Sequence, residues 1–218
     1  MAVSASKAGP PPVSPTTLVL GTTNRKKGEE LGRLFGAAAI KVRTLADFPA
    51  TMHVEEDGRT FAENAAKKAT SQARHLGCWV LGEDSGLAVD ALDGRPGVYS
   101  ARFSGMGATD ASNNHLLLEK LAGVPEEKRG ACYVCHMVLA NPSGAISAES
   151  RGTCRGRILP EPRGSAGFGY DPLFELLEYH RSFGQLGPVT KAVLSHRARA
   201  ARLLLPKIVA LAETGELA

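Results

Sequence analysis

No stretch of this 218-residue chain is both long and apolar enough to cross a membrane, so no helical span is expected. The first fifteen residues lack an apolar run of signal-peptide length and contain no arginine, and neither export nor organelle import is expected. With only four cysteines and no export signal, the thiols are expected to stay reduced in a cytoplasmic protein. Aromatic residues are 6% of the chain, and no dense basic stripe with interleaved aromatics occurs. A net charge of only +4 likewise falls short of a nucleic-acid footprint, while suiting a small polyanion. There is no internal repeat and no Gly-x4-Gly-Lys-Ser/Thr phosphate loop.

What remains is an ordinary globular composition, 43% hydrophobic and 22% charged. The chain is long enough to bury a sizeable core as one domain or two closely joined lobes. Residues 1–16 are rich in Ala, Ser, Gly and Pro, include Pro10-Pro11-Pro12, and read as a disordered or polyproline tail dispensable for activity. Residues 17–218 form the domain.

The most informative segment is Gly82-Glu83-Asp84-Ser85-Gly86-Leu87, which follows the apolar run Cys78–Leu81. Adjacent carboxylates, a hydroxyl and a glycine at a strand's end suit a hard divalent cation held against phosphate oxygens. The plainer alternative is a strand ending in a polar turn. Leu18–Gly21 reads as a second buried strand, running into Thr22-Thr23-Asn24-Arg25-Lys26-Lys27 and a helical pattern from Glu29 to Phe35. A helix start offers free amides and a favourable dipole to an anion, and three consecutive cations add charge. In Glu55-Glu56-Asp57, then Thr60 to Leu76, capping spacing of Thr60 and Glu63 predicts a helix ended by Gly77. Asn64 and Lys68 share one of its faces. Gly164–Phe174 interleaves aromatics with glycines, as a base-stacking platform would; a glycine-rich turn with two core aromatics is the alternative. Ser195 reads as an N-cap, with Lys191, His196 and Arg197 clustered at that helix N-terminus.

Five blocks, 22–27, 55–65, 84–92, 167–174 and Lys191-x3-Ser195-His196-Arg197, occur in the order and spacing of a known family. The chain resembles the inosine triphosphate pyrophosphatases. The resemblance implies cleavage of ITP, dITP or XTP between the α and β phosphates, with Mg²⁺ as cofactor. It also implies a homodimer and an elongated α/β fold: a mixed sheet with flanking helices, in two lobes around a central cleft. Carried onto this chain, Asp84 takes the proton-acceptor and metal position, with Glu55, Glu56 and Glu83 as further metal ligands. Thr22, Thr23, Asn24, Arg25, Lys26, Lys27, Lys68, Ser85 and Lys191 would hold the triphosphate or sugar. Phe168, Gly169, Tyr170, Asp171, His196 and Arg197 would select the base, with Phe168 stacking and donors from His196 and Arg197 facing its 6-oxo group. Two positions depart from the family pattern: Glu83 stands where Asp is usual, and Thr23 where Gly is common.

Other readings compete. Cys132-Tyr133-Val134-Cys135-His136 matches a haem-attachment pattern, but it lies in an expected strand, where positions three apart face opposite ways. A Maf-like pyrophosphatase with another base preference is disfavoured by the blocks at 167–174 and 191–197. A non-hydrolysing nucleotide sensor is disfavoured by Asp84 and its acidic neighbours. Elsewhere, Thr109 should cap a helix through Leu121, and Arg129–Leu139 and Ile146–Arg155 should pair around Asn141–Gly144. The helix from Ser195 should kink or break at Pro206.

Overall fold

A computed structural model describes residues 16–48 and 51–217. Seven strands form one mixed sheet in the order β2-β1-β3-β4-β5-β6-β7. They are β1 Thr16–Leu20, β2 Ile40–Thr44, β3 Val80–Val89, β4 Gly130–Ala140, β5 Ile146–Ile158, β6 Phe174–Leu176 and β7 Arg181–Ser182. The first three pair in parallel and the rest are antiparallel. Five α-helices flank them: α1 Arg25–Gly36, α2 Phe61–Leu76, α3 Asp110–Lys120, α4 Phe183–Leu194 and α5 His196–Glu213. Except for residue 16, which begins β1, the expected tail lies outside the described residues.

Local chemistry explains most of the helix ends. Asn24 caps α1 by accepting from the Lys27 amide, so the helix begins at Arg25, four residues before its expected start. Thr60 caps α2 through the Glu63 amide, and the Glu63 carboxylate reaches back to the Arg59 amide at 2.7 Å. Gly77 ends α2 in the left-handed conformation, as expected. Pro206 lies within α5, yet the helix runs on to Glu213, against the expected interruption. Lys191 belongs to the last turn of α4, not to the start of α5.

The main correction concerns β3. The segment 82–86 lies in the middle of a ten-residue strand, and pairing with β4 holds from Val80 to Val89. Neighbour β1 pairs with β3 only at Val80 and Leu81. Among the described residues, the β1 side of β3 beyond Leu81 is next met only near its far end, by an isolated bridge from Ala88 to Pro96, and a cleft opens between. Along the odd-numbered face of β3, Leu81 joins one apolar core with α1 and α5, while Leu87 and Val89 join a second with Tyr133, Phe174 and Phe183. Glu83 and Ser85 fall between the two cores. On the even face a third core, from Val80, Val138 and the α2 alanines, packs beneath α2. That contact is close: a Cβ on Gly82 would overlap the Ala65 carbonyl and lie 2.7 Å from the Ala69 amide nitrogen.

Candidate active site

Chain order directs attention to the carboxyl end of β1. The connection through α1 leads to β2 on one side, and the connection through α2 returns to β3 on the other. Such a reversal leaves a crevice beyond the strand's carboxyl end, a common ligand position in α/β sheets. Here a cleft of about 340 Å³ is lined from both sides of the reversal. Thr22, Asn24 and Lys27 reach it, and the α1 amides point toward it with no acidic residue in the first turn. Thr23 and Arg25 are exposed and do not line it. Lys26 turns toward an adjoining cavity of about 390 Å³, 5.6 Å from the Phe168 ring centre.

Strand alternation splits the acidic pair. Asp84 faces α2, where Asn64 Nδ2 donates to Oδ2 at 3.1 Å and Lys68 Nζ donates to Oδ1 at 3.1 Å. The same ammonium reaches Glu56 Oε2 at 2.7 Å, so Asp84 and Glu56 converge on one point. Asn64 Oδ1 accepts from the Gly58 amide at 2.8 Å, pinning the loop that carries Glu56. Burial raises the Asp84 carboxyl above its usual range, against the pull of Lys68 and Lys27. Burial opposes the Lys68 charge, but Asp84 and Glu56 outweigh it and hold that pKa up.

Glu83 points the other way and is fully buried. Lys27 Nζ lies 2.8 Å from Oε2, and Arg197 Nη2 donates to Oε1 at 2.9 Å. Burial would raise this carboxyl, but Arg197 and Lys27 hold it well below the usual range. Glu83 therefore faces Lys27 and Arg197 while Asp84 faces Lys68, so the two adjacent acids do not converge on one point as expected. Glu55 is exposed and has no bond to Asp84. Among the described residues, no group of three or more His, Cys, Asp or Glu is arranged to hold a metal, and of the four expected ligands Asp84 and Glu56 share a partner, the Lys68 ammonium.

The residues expected to select the base come together, held by partners the sequence did not show. Arg197 is tied to Glu30, to Glu83 and to Ser85 Oγ at 3.0 Å. Lys191 Nζ sits between Glu30 at 2.7 Å and Asp171 at 2.6 Å, under the Phe168 ring. Phe168 is half-buried at the mouth and lines both cavities. The adjoining Gly167 has φ +82°, and a Cβ there would overlap the Asp171 carboxylate, which accepts from the Phe168 amide at 2.9 Å. Tyr170 is 4% exposed, packs in the second core and donates to the Ser100 carbonyl at 2.8 Å, while also lining the cleft. Gly169 lines the cleft, its amide donating to Asp110 at 2.9 Å. His196 stacks on Tyr133, centroids 4.6 Å apart and planes 10° off parallel. Burial, then the Arg197 and Lys191 charges, push its pKa well down and keep it neutral. His196 Nδ1 and Arg197 Nε are buried with no hydrogen-bond partner.

Sequence reasoning did not assign Glu30, Asn64 or Tyr133 a part in the site. Glu30 lies three residues after Lys27, hence on a neighbouring position of the same helix, which was the available signal. Cys135 is buried and donates to Glu83, while Cys132 is half-buried three residues away in β4, as strand alternation anticipates. No described helix is long and apolar enough to cross a membrane.

The model of the Ham1 family matches residues 18–207. A protein of Rhodopirellula baltica named dITP/XTP pyrophosphatase is 51% identical over 197 residues, covering 90% of this chain and 95% of its own. The structure of a HAM1 protein from Coxiella burnetii is similar at a TM-score of 0.80 and 35% identity, covering 89% of this chain and 98% of its own. That of a nucleoside-triphosphatase, dITP/XTP pyrophosphatase, from Mycobacterium abscessus gives 0.70 and 39%, covering 88% and 99%.

Proposed function

The chain belongs to the Ham1 family, and from that premise we propose that it hydrolyses ITP, dITP and XTP to the monophosphate and pyrophosphate. The observation that carries this reading is Asp84, buried beside Lys68 and Glu56 at the open edge of β3, facing the same cleft as the α1 N-terminus and the Phe168–Arg197 pocket. Phosphoryl transfer to water asks a protein mainly for positioning and charge neutralisation. Asp84 accepts the proton of the attacking water; the water oxygen bonds to the α phosphorus, and the bond to the bridging oxygen breaks, leaving its electrons on pyrophosphate. Lys27, Lys68 and the α1 amides meet the growing charge.

Mg²⁺ fits the pair Asp84 and Glu56, because this ion commonly takes one or two carboxylates and completes its shell with phosphate oxygens and water. When bound it would supply charge neutralisation and a more acidic water. Neutral His196 and the unpartnered Arg197 Nε–H support recognition of a 6-oxo purine. Adenine would leave such a donor unpaired, and sites of this kind discriminate by roughly 10⁴ or more. Guanine shares the 6-oxo group, so its rejection needs a further contact at its 2-amino group. Four free thiols support a reducing, cytoplasmic setting. Exposed Tyr99 and Met106 leave apolar surface for a homodimer, which sedimentation would detect.

The test is pyrophosphate release from ITP, XTP, dITP, ATP and GTP with Mg²⁺, for the wild type and Asp84→Asn. Fast release from the first three, little from the others, and a loss of about 10²–10⁴-fold in the variant are expected. Absence of turnover on all five would overturn the reading.

A further inference from the structure

Glu83 is expected at the metal, yet it grips two cations that come from the starts of two different helices. Lys27 comes from the first turn of α1, where the phosphate chain would lie. Arg197 comes from the first turn of α5, beside His196. The grip is specific by oxygen: Oε2 takes Lys27 at 2.8 Å, while Oε1 takes Arg197 at 2.9 Å and the Cys135 thiol at 3.4 Å. A fully buried carboxylate cannot replace either cation with bulk water. A change at one cation is therefore felt at the other.

We propose that Glu83 is a positioning residue that couples phosphate binding to base recognition. A phosphate chain that draws Lys27 toward itself weakens the hold of Lys27 on Glu83. Arg197 then becomes the main counter-charge of Glu83, and in a low-dielectric site that bond strengthens. Ser85 Oγ, two residues along the same strand face, already receives a hydrogen bond from the same Nη2 at 3.0 Å, so the tightened guanidinium is held in one orientation. An ordered Arg197 binds the base with less to lose. By linkage the effect is reciprocal, and a bound base tightens the phosphate end by the same factor. The inference rests on the reading that this cleft takes a nucleoside triphosphate.

Inosine probes the base end alone and inorganic tripolyphosphate the phosphate end alone, both in metal-free buffer by calorimetry. In the wild type, saturating tripolyphosphate is expected to tighten inosine binding about fivefold or more, the low end of common coupling strengths. In Glu83→Gln the factor should fall to about one. Lys27→Gln keeps the Glu83–Arg197 pair, guards against misfolding of the first variant, and should also give about one. A wild-type inosine affinity indifferent to tripolyphosphate, or coupling that survives both substitutions, overturns the inference and leaves the proposed function standing. Failure of inosine to bind at all overturns the base-pocket reading and the inference with it.

Discussion

Asp84 is held by two donors of different kinds, and their effects on its acidity can be separated. Lys68 brings a full charge, shared with Glu56, while Asn64 brings a neutral amide aimed at the other carboxylate oxygen. Burial is the largest influence and raises the pKa above 3.8; the Asn64 bond works against it by favouring the ionised form. A base must be ionised to accept a proton, so kcat/KM is expected to climb with pH as this carboxyl ionises. Asn64→Ala removes a donor to the carboxylate and moves that acid limb to still higher pH. The substitution also frees the Gly58 amide, so the plateau should drop as the Glu56 loop loosens. A pH profile of ITP hydrolysis for both proteins checks this; an acid limb that stayed put, or moved down, would refute the role given to Asn64.

Elements place these side chains through contacts that two glycines can report. Gly82 lets α2 lie directly on β3, and α2 carries Asn64 and Lys68. Gly82→Ala is expected to cost about 1–3 kcal/mol or more by overpacking, because the obstacle is helix backbone and not a flexible side chain. Gly32, inside α1, meets nothing within 4 Å, so Gly32→Ala should gain about 0.4–1 kcal/mol. Urea midpoints of the two variants should move in opposite directions. The same elements show what sequence could reveal. Helices α2, α3 and α5 begin at Thr60, Thr109 and Ser195, because a cap is local chemistry visible in three or four residues. The β4–β5 pair and its turn were legible for the same reason. The full length of β3 was not. Gly-Glu-Asp-Ser-Gly has the composition of a turn, and it forms strand here because β4 pairs with its whole length while Lys27, Arg197 and Lys68 compensate the carboxylates from three separate helices. The opposite directions of Glu83 and Asp84 follow from that strand and were hidden with it. Helix α4 was obscured by Gly187, at φ +75°, and Pro188.

In the whole molecule the two cores flanking Glu83 and Ser85 are joined across the cleft by buried charges, which makes stability depend on pH in two steps. The folded-state pKa of His196 lies well below the ordinary 6.5, because burial and neighbouring cations disfavour its charge. Below pH 6.5 the unfolded chain gains a proton that the folded protein refuses, so stability declines as pH falls from there toward the folded pKa. Glu83 has its folded pKa held well below 4.5. Its contribution is fully present above 4.5 and is lost as pH drops from 4.5 through the folded value, because the unfolded carboxylate protonates first. Each group contributes a slope approaching about 1.4 kcal/mol per pH unit inside its own window. Urea midpoints between pH 8 and pH 3.5 should therefore be flat near neutrality, decline below 6.5, and steepen below 4.5. His196→Gln should reduce the first decline, leaving the part due to His136, whose pKa burial also lowers, and should leave the second; Glu83→Gln should lower stability near neutrality, since it removes the charge facing Lys27 and one of the two facing Arg197, and reduce the second, to which Glu30 also contributes. A steepening below 4.5 that persisted unchanged in Glu83→Gln would place the acid sensitivity elsewhere than at the carboxylate between the two cores.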